Sequence, residues 1–405
     1  MVGNGFRKET RVERGLPPVV VPSFDSGTEA RRIEVLKANL CRRELPDMYP
    51  RDSYRSLLTL ERPVAKLVGV STDNLLLYAN GMSAVISAIE SASPKAGTVL
   101  LHGTAMYSRT LKYINGPLNG RGVVPVAVDS GNICAIEKAV EEHKPDIIIF
   151  EIVANGPGVP VLDIKRLLAA QHVKERRPRI ILDNTVAGPS VMPSSSLLGH
   201  NGDNDLVVVE SGTKFYTRNR ELCGILYTHN RDLIRTLFDA RITNGTAPSI
   251  STAATINGSI PASRSRFDSN NLRACRNALT LARACHRAQQ ENPSLMVHHP
   301  NLPNHSNKQL ADQLAPEGIT PIFCIAHSGF DGASAKHDAY ELTDLIFRER
   351  GVKENFGITQ SFGFDASQIY PYSSFPVIRI SAGTESQKKI EPMAYALYRA
   401  LARVR

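Results

Sequence analysis

From about residue 56 the chain alternates short apolar runs with amphipathic segments, and this alternation restricts the fold more than any other feature. SLLTLERPVAKLVG carries the period of a helix and NLLLYA reads as a buried strand; SAVISAIESAS is again helical and TVLLH a strand. The pattern continues through VVPVAV, AIEKAVEEH, DIIIFEIV, DIKRLLAAQHV, RIILD, DLVVVES and CGILYTH. Strands this apolar are buried on both faces, which predicts a mostly parallel sheet in an α/β architecture. Ligands of such sheets bind at the carboxyl ends of the strands, so chemistry is expected in the turns that follow them.

The chain's 405 residues exceed what one hydrophobic core usually serves. Residues 1–55, rich in Arg, Pro and Glu, read as an arm; 56–250 as the large α/β domain; and 251–405 as a smaller C-terminal α+β domain. The last of these holds the long helix NLRACRNALTLARACHRAQQ, the strands TPIFCIAHS and PVIRIS, and a final helix in KKIEPMAYALYRALARV. The polar, basic start and the lack of an apolar run of about 20 residues point to a cytoplasmic protein without a membrane span. Six cysteines with no CxxC pair argue against zinc and against a disulfide scaffold, and no metal is expected. The net charge of +9 comes from basic residues that are dispersed and share their segments with acids, which favours small anions over nucleic acid.

Four strand ends carry polar or glycine-rich clusters. In YANGMSAV, Gly81, Met82 and Ser83 open a helix; free N–H groups there suit a phosphate, although such a glycine also serves as a plain turn. In RIILDNTVAGP, Asp183 caps the next turn or faces a protonated ring nitrogen. In VVVESGTKFYT, Lys214 follows the hydroxyls of Ser211 and Thr213, either as a solvated loop lysine or as a nucleophilic amine in a phosphate clamp. In LLHGTAMYSRT, Tyr107 packs or stacks on a flat cofactor. A cradle, a carboxylate and then a lysine about 30 residues later suggest pyridoxal 5'-phosphate held as a Schiff base.

In order and detail these motifs resemble the fold type I pyridoxal-phosphate enzymes of cysteine and methionine metabolism, the group of cystathionine γ-synthase, the cystathionine lyases and methionine γ-lyase. The resemblance covers residues 45–400 and implies roles for individual residues. YPRDSYRSLLTLERPVAKLVG is similar to the family's Tyr-x-Arg segment, which implies that Tyr49 and Arg51 reach the cofactor phosphate of a neighbouring subunit. NGMSAVISAI implies a phosphate cradle at Gly81 and Met82, and YSRT a ring-stacking role for Tyr107. FEIVANGPGVPVLDI resembles E-x-P-x-NP and places Asn155 beside the ring hydroxyl or the substrate. LDNTVAGP implies Asp183 on the pyridinium nitrogen with Thr185 near the ring. ESGTKFYT implies Ser211 and Thr213 on the phosphate and Lys214 as the Schiff-base lysine. TQSFGFDASQIYPYSSFPVIRISAGTES implies that Ser361 and Arg379 hold the substrate carboxylate.

The resemblance further implies elimination or replacement at Cγ (or Cβ) of an amino acid bearing a thiol, acyl or halide leaving group, in a homodimer or homotetramer with shared sites. Lys214, Tyr107 and Asp183 are its catalytic candidates. An aminotransferase, or another fold type I enzyme, needs the same lysine and aspartate; a non-catalytic scaffold on this fold is the third reading. Departures at HGTAM, at YSRT with Arg109 near the ring, and at Cys223–Gly224 point to an unusual substrate, in specialised metabolism for example.

Overall fold

Seven of the apolar runs become strands of one sheet in the computed structural model of the protein, which describes residues 55–198, 205–261, 263–328, 335–372 and 377–404. They are β1 (Leu75–Tyr78), β2 (Val99–Gly103), β3 (Val124–Val128), β4 (Ile147–Glu151), β5 (Arg179–Asp183), β6 (Leu206–Ser211) and β7 (Gly224–Tyr227). Their order is β1-β7-β6-β5-β4-β2-β3. β3, β2, β4, β5 and β6 run parallel, whereas β7 is antiparallel to both β6 and β1. The sheet is therefore the mostly parallel one that the apolar runs predict, with one reversed strand.

The helices between the strands start where side chains satisfy their first N–H groups. Asn80, Asn132, Asp163 and Asn230 accept from Ser83, Ala135, Arg166 and Leu233 respectively, capping the helices Gly81–Glu90, Ile133–His143, Ile164–Ala169 and Arg231–Thr243. Helix Gly81–Glu90 turns Ala84, Val85, Ala88 and Ile89 inward, where they join Val207 and Val209 of β6 in one core cluster. At the β1 edge, helix Arg55–Val68 is tied down by a buried ion pair. Glu61 Oε1 accepts from Arg241 Nη1 at 2.7 Å and from the Leu77 N–H at 3.2 Å, and Arg241 also donates to the Leu77 carbonyl.

A second sheet follows. It comprises β8 (Leu295–His298), β9 (Ile322–His327), β10 (Gly357–Ile358), β11 (Gln368–Pro371) and β12 (Val377–Ser381), in the order β10-β11-β12-β9-β8. β9 and β12 correspond to the expected strands, whereas β8, β10 and β11 are too short or too polar to stand out in sequence. The Ser/Thr/Ala-rich stretch after residue 247 forms a helix, Ile250–Ser259, capped by Ser249. Helix Arg264–Glu291 links the two cores: Phe267 and Cys275 pack with the first, while Ala278, Leu281, Ala282 and Cys285 pack with the second. At about 42 Å it is long enough to do both. No helix among the described residues is long and apolar enough to cross a membrane.

Candidate active site

The carboxyl ends of β2, β4, β5 and β6, the start of helix Gly81–Glu90 and the segment 360–379 enclose a cavity of about 450 Å³. Eleven of the residues singled out in sequence line it: Gly81, Met82, Tyr107, Asn155, Asp183, Thr185, Ser211, Thr213, Lys214, Ser361 and Arg379. Tyr49 and Arg51 lie outside the described residues. Arg109 is exposed on the helix after Tyr107 and is not among the lining residues, which corrects its expected place beside a ring.

Lys214 sits in a single helical turn, Gly212–Phe215, directly after β6. Gly212 packs that turn closely on β7 and the residue before it: a Cβ there would lie 3.0 Å from Cys223 Sγ and 3.1 Å from Ile225 Cδ1. The Lys214 ammonium donates to Ser361 Oγ at 2.6 Å, and Ser361 in turn donates to Asn219 Oδ1. Desolvation lowers the lysine's pKa to about 8, with the Arg379 charge adding to the effect. Gly363 (φ +83°) lets the opposing segment approach closely, since a Cβ there would meet the Lys214 carbonyl oxygen at 2.7 Å.

Arg379 reaches the cavity from β12 while only 3% exposed. Its Nη1 donates to Asn155 Oδ1 at 2.8 Å, and the same oxygen accepts from Tyr372 O–H at 3.0 Å. Phe362, Tyr370 and Tyr372 surround the guanidinium, their centroids 5.5–5.7 Å from it. Its Nε is buried without a hydrogen-bond partner, so the cation keeps a donor in reserve for an anion. Asn155 itself stands in a tight loop where Val159 adopts φ +47°, a strained conformation for a β-branched residue. His305 Nε2 lies 2.7 Å from the Gly158 carbonyl, and Asn307 accepts from the Val161 N–H, which holds the loop in place.

Two of the cavity's three carboxylates were not singled out in sequence. Glu151 ends β4 in cross-strand register with Asp183 of β5. It accepts from the N–H groups of Tyr107 (2.5 Å) and Asn155 (2.6 Å), and so anchors both of those residues. Burial, aided by the Asp183 charge, raises its pKa to about 8. Burial also raises that of Asp183, against the hydrogen bonds from Thr185. Glu210, the last residue before Ser211, is the third. A carboxylate closing an otherwise apolar strand is the signal that marks both glutamates, in DIIIFE and VVVE.

The end of the cavity where the sequence motifs imply a phosphate is built from backbone and hydroxyls. A Cβ on Gly81 would lie 3.0 Å from Ser211 Cβ, and one on Gly224 would lie 2.2 Å from the Asn80 carbonyl oxygen. Both glycines therefore allow the helix start to close on the β6–β7 edge. The Ser211 N–H donates to Thr185 Oγ1 at 2.8 Å, while Thr213 Oγ1 accepts from the Cys223 N–H at 3.0 Å.

The sequence matches the family described as Cys/Met metabolism PLP-dependent enzyme over residues 23–346. The chain belongs to that family. No curated protein matches it. Among solved structures it resembles cystathionine gamma synthase from Xanthomonas oryzae pv. oryzae, at 18% identity and a TM-score of 0.70 over 89% of this chain and 88% of that one. CalE6, a methionine gamma lyase from Micromonospora echinospora, is similar at 19% identity and a TM-score of 0.69, covering 89% and 90% of the two chains. An O-acetylhomoserine (thiol)-lyase from Campylobacter jejuni, whose structure carries a pyridoxyl-lysine phosphate, is similar at 19% identity and a TM-score of 0.68, covering 90% and 91%. These likenesses establish the fold type I architecture.

The family's cofactor, pyridoxal phosphate, fits what the cavity offers. There is a glycine-lined helix start for the phosphate, Asp183 for the ring nitrogen, and a desolvated amine at Lys214 within the same walls. The volume lies within the range of cofactor and substrate pockets. Among the described residues no group of His, Cys, Asp and Glu side chains is placed to hold a metal.

Proposed function

We propose that the protein catalyses γ- or β-elimination or replacement on an amino acid bearing a thiol, acyl or halide leaving group. The family match over residues 23–346 carries this reading, and the Lys214 amine in one cavity with Asp183 and Arg379 supplies the groups it needs. Pyridoxal phosphate bound there supplies an electron sink for the charge left at Cα when its proton departs. The chain's residues do the rest. Lys214 would hold the cofactor and, as the neutral amine that its lowered pKa makes easier to reach, would take the Cα proton. Asp183 keeps the ring nitrogen protonated. The N–H groups of Gly81 and Met82, with Ser211 and Thr213, hold the phosphate, and Thr185 lies against the ring.

Arg379, with Asn155 and Ser361, binds the substrate carboxylate, which would satisfy the guanidinium's unpaired Nε. Ser361 then gives up its hydrogen bond to Lys214 as substrate enters. Tyr107, 38% exposed at the mouth, shuttles a proton to the leaving group. Tyr49 and Arg51 of the 1–55 arm are assigned to a neighbouring subunit's phosphate, beside the large domain 56–250 and the smaller domain 251–405. The working unit in this reading is a cytoplasmic homodimer or homotetramer with shared sites, and sedimentation finding an active monomer would refute that assembly.

The test is a panel of amino acids carrying thiol, acyl or halogen groups at Cγ, with products identified by mass spectrometry. Loss or exchange of the leaving group is expected, with Lys214→Ala slower by a factor on the order of a thousand or more. Transfer of the amino group with every leaving group intact would replace this reading with an aminotransferase.

A further inference from the structure

Glu210 stands one residue before Ser211 and is only 2% exposed. Three donors converge on its carboxylate. Asn184 Nδ2 and Tyr227 O–H reach Oε1 at 2.8 and 2.9 Å, and Tyr216 O–H reaches Oε2 at 2.7 Å. These donors come from three elements: the turn after β5 that carries Asp183, the turn after β6 that carries Lys214, and strand β7. Asn184 cannot serve as well with its amide reversed. Its Nδ2 also donates to the Met192 carbonyl at 3.1 Å, so both amide protons point at acceptors. Its Oδ1 is consequently left buried without a hydrogen-bond partner. The chain tolerates that orphaned oxygen to keep the bond to Glu210, and it places two phenols where apolar side chains would pack as well.

We propose that Glu210 is a positioning residue of this active site: its ionised carboxylate clamps the Asp183 turn to the Lys214 turn and sets a buried negative charge behind the two. The proposal rests on the reading of Lys214 and Asp183 as the groups at opposite ends of the cofactor ring. Three donors converging on its two oxygens suit the carboxylate rather than the acid. Burial moves its pKa up to about 7, so the charge is in place above neutrality. The clamp fixes the Lys214–Asp183 separation on which the ring's fit depends, and in this proposal its charge works against the desolvation and the Arg379 charge that lower the Lys214 pKa. The other titratable groups lining the cavity are Tyr107, Glu151, Asp183, Tyr370, Tyr372 and Arg379, and all are retained in the variants below.

Glu210→Gln keeps the shape but turns one oxygen into a donor facing donors. Two readouts follow its effect: titration of apo-protein with pyridoxal phosphate, and the pH midpoint of the absorbance of the lysine-bound cofactor. Affinity is expected to fall about tenfold, and the midpoint to move down by about one unit as the negative charge disappears. A role limited to stability would leave the midpoint of the folded holoenzyme where it is. Tyr216→Phe and Tyr227→Phe each remove one donor but keep the charge, and each is expected to weaken affinity about fivefold with little movement of the midpoint. A folded Glu210→Gln holoenzyme with wild-type affinity and midpoint would overturn the proposal. If that variant does not fold, wild-type affinity in both tyrosine variants would overturn it instead. A failure of the underlying cofactor reading looks different: the absorbance would be missing from the wild type, or would survive in Lys214→Ala.

Discussion

A lysine in a loop is ordinarily a solvated cation; Lys214 differs because its surroundings remove water and oppose its charge. Trapping of apo-protein by an aldehyde and borohydride, with the adduct mapped to Lys214, is expected to rise with pH around a midpoint near 8 rather than near 10.5, the ordinary lysine value. The sign follows from the reactive form being the neutral amine, which a lowered pKa makes available earlier. The lysine and the aspartate were legible in sequence because each stands at or just past a strand end in a recognisable motif, and the arginine, inside β12, because of the RISAGTES segment around it. Glu151 and Glu210 were not singled out, although each closes an apolar run, because their hydrogen-bond donors, Tyr107 and Asn155 for one and Asn184, Tyr216 and Tyr227 for the other, are brought together by the fold and not by a local motif. Tyr372 was missed for a related reason: it meets Asn155 across 217 residues, and no local pattern encodes that contact.

At the scale of elements, β2, β4, β5 and β6 could be read because burial on both faces leaves an uninterrupted apolar run, while β3, at the sheet's edge, is apolar but partly exposed. The second sheet was harder to read. β11 is only Gln368–Pro371, and β10 has two residues, so their pairing depends on β12 and β9 rather than on their own composition. The segment joining β10 to β11 carries Ser361, Phe362 and Gly363 to Lys214, and its approach requires the left-handed conformation at Gly363. Gly363→Ala is expected to cost about 1–3 kcal/mol, measured by urea unfolding, through backbone strain and the contact with the Lys214 carbonyl. The same variant should shift the trapping midpoint of Lys214, because Ser361 is displaced from its amine. Unchanged stability would mean that the segment can move away without penalty.

At the scale of the whole molecule, the buried pair Glu61–Arg241 is costly to disturb. Glu61→Ala leaves the Arg241 guanidinium, 1% exposed, without its carboxylate, and a loss of about 3–5 kcal/mol in urea unfolding is expected. Replacing both partners with apolar residues should recover much of that loss. If the single and double variants prove equally stable, the pair is not what fixes helix Arg55–Val68 to the sheet.

That pair also bears on how the chain is made. Strand β1 is the first of the sheet in sequence, yet its neighbour β7 begins at Gly224, and the guanidinium that neutralises Glu61 arrives only with residue 241. A nascent chain emerging from a ribosome thus holds a sheet-forming strand and a carboxylate destined for burial long before their partners exist. A fragment of this sheet is expected to fold by itself only if it runs past Arg241, and a translation pause or a proteolytic cut upstream of that residue would leave the first-made half without its closing edge.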